Sequence, residues 1–294
     1  MPALRFAIFG NVYQPRKSSS VQKLLGLLEQ HRAKVMIESG FYAYLHDKLR
    51  IALPEGVAAF EGSDFDADVA VSMGGDGTFL ETARRVANKQ IPILGVNMGR
   101  MGFLADVTPD ELETVVTQLC SGRLSTEERC VLQLEYDRGE PEGYPYALNE
   151  VAVLKRDMSA MIGIRVEING EYLTTYQADG LIVNTPTGST GYALSVGGPI
   201  MQPGSRTLGL VPVAPHSLTV RPITVTDDAV VRLTVNSRSH QFLVSLDGRS
   251  EKCSEDVRLT IRRAPYYVKV LKRPGQSFFR TIRNKLMWGA DSRE

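Results

Sequence analysis

The sequence predicts an α/β domain, a parallel sheet with flanking helices, followed by a mostly antiparallel all-β domain. Three observations carry that prediction. Up to about residue 125, short apolar runs of strand length alternate with segments of helical spacing, which is the βαβα order of a parallel sheet. From about residue 127 to 272 the texture changes to strands of alternating polarity that follow one another closely. The 294 residues are 43% apolar and 23% charged, a composition that buries a sizeable core and excludes a disordered or fibrous chain.

In chain order, residues 4–9 read as a buried strand. Val21, Leu24, Leu25 and Leu28 then fall at i, i+3, i+4 and i+7 on one helix face, and serines 18–20 offer its N-cap. Strands are expected at 35–37, 68–73 and 91–96, with a helix over 79–87. In TPDELETVVTQLCSG, Thr108 caps, Pro109 takes the first helical position, Glu111 closes a capping box and Gly122 stops the helix. The second domain is read from VLQLEYD, ALNEVAVLK, IGIRVEI, YLTTYQ, GLIVNT, VVRLTV, FLVSLD, VRLTIRR and YYVKVLK, with Asn169-Gly170 as a tight hairpin turn. In the tail, Phe279, Ile282 and Leu286 align on a helix. The expected domains are 1–126 and 127–274, with helix 275–294 docking back on the first.

Formal net charge is +1, so no global field recruits nucleic acid or an anionic membrane, and an anionic ligand needs a local site. The apolar run in MPALRFAIFGN is too short for a signal peptide or a membrane span. Cys120, Cys130 and Cys253 are odd in number and widely spaced, which fits buried thiols in a reducing compartment, and a cytoplasmic location is expected. His31, His46, His216 and His240 lack metal-ligand spacing, so no metal held by protein alone is assigned.

Chemistry concentrates in a few segments. GGDGT, residues 74–78, stands where an apolar strand meets a helix, at the strand end where open α/β sheets bind ligands. Gly74, Gly75 and Gly77 let the backbone turn sharply against a phosphate chain, and the helix start at Thr78 adds free N–H groups. A strand-to-helix turn with an N-cap aspartate explains the same residues without a ligand. Asp76 is out of place beside phosphate unless it accepts a proton, orients a hydroxyl or binds a metal, so it is suited to an attacking alcohol. Gly95, Gly99 and Gly102 do not have G-x-G-x-x-G spacing, and no GxxxxGK[ST] is present, which argues against a Rossmann hydride site and a P-loop. Asn149 both donates and accepts, as an adenine edge requires, while Glu150 accepts and suits ribose hydroxyls. In TPTGSTGY, the hydroxyls of Ser189 and Thr190 and the backbone of Gly188 and Gly191 can ring a polar ligand, with Tyr192 as a flat face for a base.

GGDGT alone resembles the loops of NAD kinases, of diacylglycerol and sphingosine lipid kinases, and of phosphofructokinases. With Asn149-Glu150, Ala178-Asp179-Gly180 and TPTGSTGYALSVGGPI in this order, the chain resembles the NAD kinases. GVNMGRMGFLAD, VPVAPHSLTVRPI, SLDG and FFRTIRNKLMW extend the likeness over most of the chain from about residue 67, and before that only the FGN loop at 9–11 shares it. The resemblance implies the architecture shared by NAD and diacylglycerol kinases, and ATP-dependent phosphorylation of NAD at the adenosine-ribose 2′-hydroxyl to give NADP. A lipid kinase is the alternative. It implies Asp76 as the catalytic aspartate with Gly77 beside it, and Asn149 and Glu150 as the NAD-binding pair. Asp179 would meet the nicotinamide half, Thr190, Gly191, Tyr192, Ala193, Leu194 and Ser195 would wrap the dinucleotide, and Gln177 and Ala214 stand at variable contact positions. The resemblance also implies ATP as donor, with Mg²⁺ or another divalent cation arriving on it, and a homodimer or homotetramer in which neighbouring subunits complete the site. Arg16 and Lys17 are possible donor-phosphate contacts. Two departures stand out: Gly191 where the family often has alanine, and Arg249 where glutamine is common.

Overall fold

The computed structural model describes residues 3–10, 12, 18–99, 102–157 and 160–290, and the chain divides into two units: one of residues 1–128 with 268–294, the other of 129–267. Asn11, Arg16, Lys17, Arg100 and Met101 lie outside the described residues.

The first unit is built on a seven-stranded sheet. Its strands are β1 (Arg5–Gly10), β2 (Lys34–Glu38), β3 (Ala58–Phe60), β4 (Val69–Gly74), β5 (Ile93–Asn97) and β6 (Ser125–Arg129), together with the late strand Val268–Lys272, in the spatial order β3-β2-β1-β4-β5, late strand, β6. The β1–β2, β1–β4, β2–β3, β4–β5 and β5–late-strand pairs are parallel. Strand β4 is buried along its whole length, as expected for a parallel strand covered on both faces. Helix α1 (Ser18–Gln30) buries Val21, Leu24, Leu25 and Leu28, the stripe read from the sequence. Serines 18–20 form its first turn, and the position that would cap it lies outside the described residues. After β2 come a short helix, α2 (Ser39–Ala43), and a π-helical turn at Tyr44–Lys48, neither of which the sequence predicts; both are too short to show a periodic stripe. Helix α3 (Asp76–Val86) follows β4 directly, and α4 (Leu112–Cys120) follows a single 3₁₀ turn that carries the expected Thr108/Glu111 capping box.

The second unit holds two six-stranded sheets whose neighbouring strands pair antiparallel. Its strands are β7 (Leu132–Tyr136), β8 (Tyr146–Ala147), β9 (Glu150–Lys155), β10 (Ile162–Ile168), β11 (Glu171–Ala178), β12 (Gly180–Asn184), β13 (Thr207–Val213), β14 (Ile223–Thr226), β15 (Val231–Asn236), β16 (Gln241–Leu246), β17 (Arg249–Ser254) and β18 (Leu259–Arg263). One sheet runs β11-β10-β15-β18-β7-β8 and the other β14-β13-β12-β9-β16-β17. Ile164, Val166 and Leu233 of the first sheet share one core with Val153, Val183 and Phe242 of the second. Asn169 and Gly170 both adopt positive φ in the β10–β11 turn, the backbone that makes Asn-Gly a hairpin signal.

One assignment is corrected. YYVKVLK reads as part of the antiparallel domain, but Val268–Lys272 is β19 and runs parallel to β5. Alternation on one strand does not say which sheet accepts it, and Val270 and Leu271 are buried in the first unit, Leu271 within its main apolar core. The unit boundaries therefore fall at 128/129 and 267/268, rather than at the expected 126/127 and 274/275. The last two helices are α5 (Tyr192–Ser195) in the second unit and α6 (Phe278–Leu286) in the first.

Candidate functional site

The first group of site residues sits at the end of β4. Gly74 closes the strand, Gly75 precedes α3, and Asp76 is the first residue of that helix. A Cβ at Gly75 or Gly77 would meet nothing within 4 Å, so this backbone is open to a close-approaching ligand. Gly74 serves packing instead, because the Thr78 hydroxyl lies 2.2 Å from where its Cβ would stand.

The Asp76 carboxylate is held by backbone from across the turn. Phe103 N–H donates to Oδ2 at 2.7 Å, and Leu104 and Ala105 N–H donate to Oδ1 at 2.9 and 3.2 Å. A carboxylate offers about four acceptor positions, so about one remains, on Oδ2. The glycines that mimic a dinucleotide fingerprint explain how residues 102–105 come so close. A Cβ at Gly102 would stand 1.9 Å from Asp76 Oδ1, and one at Gly95 would stand 2.8 Å from Ala105 Cα. These glycines make room for the aspartate clamp.

The second group lies in the other unit, around the start of β9. The Asn149 carbonyl accepts from Thr185 N–H at 2.9 Å, and Gly188 packs so tightly on Asn149 that a Cβ would stand 2.1 Å from that carbonyl oxygen. A Cβ at Gly191 would meet Glu150 Oε2 at 3.2 Å and Asn149 Nδ2 at 3.3 Å, so the 188–191 turn lies directly on the pair. Asn149 Oδ1 and Glu150 Oε2 are buried without hydrogen-bond partners. Such orphaned acceptors are uncommon in a native fold and call for a ligand or water. Tyr192 is 38% exposed beside them, available as a stacking face.

Electrostatics single out Glu150. Burial pushes its carboxyl up to about 7, the Asp247 carboxylate adds to the rise, and the Tyr192 N–H opposes it. With its carboxyl raised to about 7, Glu150 can offer a donor as well as the expected acceptor near neutral pH. Asp247, which is absent from the residues singled out in the sequence, accepts from the N–H groups of Leu148, Asn149 and Glu150 at 2.7, 2.8 and 3.2 Å. It sits with positive φ before Gly248 in the two-residue β16–β17 turn, so the Asp-Gly dipeptide in SLDG was the available signal. Arg249 donates to the Tyr144 and Tyr146 carbonyls at 2.8 and 2.7 Å, which engages its guanidinium in the segment before β9.

The other expected contacts differ in their placement. Ser189 is fully buried; its hydroxyl donates to the Pro186 carbonyl at 2.7 Å and accepts from Met201 N–H at 2.9 Å. Ala193 is buried against Ala152, Ile182 and Val211, so it has only main chain to offer. Thr190 donates to the Thr187 carbonyl at 3.2 Å, and Leu194 and Ser195 follow on α5. Gln177, Asp179 and Ala214 gather at the far end of the same strands. Register pairs Glu150 with Asn184 and Leu154 with Gly180, so about 14 Å of strand separates the two ends at about 3.4 Å per residue. There the Asp179 carboxylate pairs with Lys155 Nζ at 2.7 Å, and the Gln177 carbonyl accepts from His216 N–H at 2.8 Å. Within one chain the structure does not bring Asp179 to Asn149.

No group of three His, Cys, Asp or Glu side chains that could hold a metal occurs among the described residues, and no helix there is long and apolar enough to cross a membrane.

Comparison with known proteins gives a consistent picture. Residues 6–124 match the ATP-NAD kinase N-terminal domain and residues 148–273 the ATP-NAD kinase C-terminal domain. The chain is 56% identical over 290 residues to an NAD kinase of Bacteroides fragilis, covering 99% of this chain and 100% of that one. It is 42% identical over 286 residues to an NAD kinase of Porphyromonas gingivalis, covering 97% and 98%. The crystal structure of yeast NADH kinase complexed with NADH is similar with a TM-score of 0.89 at 21% identity, covering 99% of this chain and 89% of that one. An NAD kinase from Archaeoglobus fulgidus in complex with ATP gives 0.74 at 24% identity, covering 97% and 99%. At these identities the two structures speak for the fold.

Proposed function

The chain belongs to the ATP-NAD kinase family, and from that membership we infer that it transfers the terminal phosphoryl group of ATP to the 2′-hydroxyl of the adenosine ribose of NAD, giving NADP. The lipid-kinase alternative has no support from these relatives.

The observation that carries the chemistry is the Asp76 carboxylate, fixed by three N–H donors on an open glycine turn with one acceptor position left. A hydroxyl donating to that position has its oxygen lone pairs turned outward to attack phosphorus. In the transfer, the bond from the 2′-oxygen to the terminal phosphorus forms as the bond to the ADP oxygen breaks, and the hydroxyl proton passes to Asp76 or to solvent. The transition state is loose, so orientation matters more than a strong base. Gly75 and Gly77 present backbone to the phosphates. ATP is used as its Mg²⁺ complex, in which the cation takes charge from the phosphate oxygens and needs few protein ligands.

Asn149 and Glu150 read the adenosine: two buried, unpartnered acceptors suit the exocyclic amine of a base and a ribose hydroxyl. Main chain of 190–195 and the Tyr192 ring pack along the dinucleotide. Asp179, Gln177 and Ala214 serve the nicotinamide half bound on a neighbouring copy, in a homodimer or homotetramer; their separation from Asn149 within one chain supports this reading. The three free cysteines support a reducing, cytoplasmic location.

The test incubates the purified chain with NAD, ATP and Mg²⁺ and detects NADP with a coupled NADP-specific dehydrogenase. Asp76→Asn is expected to lose roughly 10²- to 10⁴-fold in turnover while NAD affinity falls less. Equal losses of binding and turnover would make Asp76 a structural residue, and absence of NADP formation by the unaltered chain would sink the assignment.

A further inference from the structure

Asp179 stands at the junction of β11 and β12, and its backbone is held on both sides. Its N–H donates to the Val213 carbonyl at 3.0 Å, and its carbonyl accepts from Lys155 N–H at 2.8 Å. Next to it, a Cβ at Gly180 would stand 2.4 Å from the Val153 carbonyl oxygen and 2.7 Å from Leu154 Cδ2, so β9 and β12 lie close together here. This backbone packing sets Lys155 beside Asp179, and Lys155 Nζ meets Asp179 Oδ1 at 2.7 Å. The two side chains are 24% and 34% exposed, so the pair is partly withdrawn from water yet still open to a ligand.

Charge gives this pair a consequence for the ligand. The nicotinamide ring of NAD carries a positive charge that the ring of NADH lacks, while the two molecules match in nearly every other respect. A lone carboxylate beside that ring attracts the oxidised form and makes no such distinction in favour of the neutral, reduced ring. With Lys155 Nζ on the carboxylate, the pair is neutral overall, and its pull on a nearby charge shrinks to the difference between attraction and repulsion. Specificity is a difference of two affinities, so a residue that weakens only one of them shifts the ratio.

We propose that Lys155 is a specificity-determining residue, which lowers the preference for NAD over NADH by neutralising the Asp179 carboxylate. The proposal rests on the reading that Asp179 serves the nicotinamide half of the dinucleotide, and adds to it the residue that weighs one redox form against the other. It makes opposite demands of the two partners. Removing the Lys155 charge leaves an anion and favours NAD; removing the Asp179 charge leaves a cation and favours NADH. A pair with a merely structural role would weaken both dinucleotides alike in either variant.

The experiment is calorimetric titration of the full chain with NAD and, separately, with NADH, comparing the unaltered protein with Lys155→Met, Lys155→Arg and Asp179→Asn. The ratio of the NADH Kd to the NAD Kd is expected to rise about threefold or more in Lys155→Met, as one partly screened unit charge is uncovered. It is expected to stay within about twofold in Lys155→Arg, which keeps the charge, and to fall about threefold or more in Asp179→Asn. The asparagine variant keeps the test decisive if Lys155→Met fails to fold. A smaller change in a folded Lys155→Met protein, or a ratio that moves the same way in both variants, overturns the proposal. Binding of neither dinucleotide by the unaltered chain ends the proposal together with the functional reading beneath it. A ratio shifted by Asp179→Asn but not by Lys155→Met keeps Asp179 at the nicotinamide and overturns the role of Lys155 alone.

Discussion

Glu150→Gln is expected to make the protein more stable and a poorer binder of NAD, and the size of the first effect follows from the burial of the carboxyl. Glu150 is 9% exposed, has one oxygen with no partner, and lies near the Asp247 carboxylate. Raising its carboxyl from 4.5 to about 7 means that the ionised form is disfavoured in the native state, by about 3 kcal/mol at about 1.4 kcal/mol per pH unit. The sign runs against the usual carboxylate. Between pH 4.5 and about 7 the native state holds more protons than the unfolded one, so stability falls as pH rises through that window and the full cost is present above it. Glutamine carries no ionisable group and escapes this cost. Thermal and urea unfolding of both proteins should therefore agree near pH 4.5 and diverge toward pH 8, the glutamine form gaining up to about 3 kcal/mol. A difference that is the same at every pH, or a glutamine form that is less stable at pH 8, would refute the idea that a buried ionised carboxylate is maintained here. NAD titration of the same proteins supplies the functional half, since the glutamine amide offers ribose hydroxyls a weaker acceptor than the carboxylate does.

Other perturbations test the remaining contacts. Gly102→Ala drives a methyl group to within 1.9 Å of Asp76 Oδ1; because a displacement of about 1 Å can cost about 100-fold in rate, turnover should fall by that order while NAD affinity persists. Asp247→Ala strips the acceptor from three N–H groups, and each buried donor left unpaired costs about 1–3 kcal/mol; the midpoint of unfolding should drop, KM for NAD should rise and kcat should change less, with Asp247→Asn recovering part of the loss. Gly188→Ala places a methyl group 2.1 Å from the Asn149 carbonyl oxygen, against backbone that cannot yield; KM for NAD should rise more than in Gly191→Ala, where the nearest contact is the movable end of Glu150 at 3.2 Å.

What residues alone determined was local in character. A run such as VAVSM followed by two glycines and a helical pattern can only be a buried strand turning into a helix, and Asn-Gly between two alternating runs can only be a tight hairpin. The candidate motifs stood out for the same reason: Asp76 among glycines and Asn149-Glu150 at a strand start are contiguous, and the chemistry proposed for them rests on residue type. Tertiary structure decided everything that depends on who lies across the gap. Val268–Lys272 alternates like its predecessors, yet it joins the parallel sheet because β5 offers it an edge. Ser189 and Ala193 sit in a promising loop, yet they face inward, and only the packing of Met201 and Val211 on them makes that so. The clamp on Asp76 and the brace under Asn149 are made of backbone N–H groups, which nearly every residue possesses and no sequence pattern advertises. The environment of Glu150 belongs to the same class, because the carboxylate that adds to its rise comes from a hairpin 97 positions away in the chain. Side-chain chemistry is written in the sequence; burial, register and the approach of one backbone to another arise only when distant segments meet.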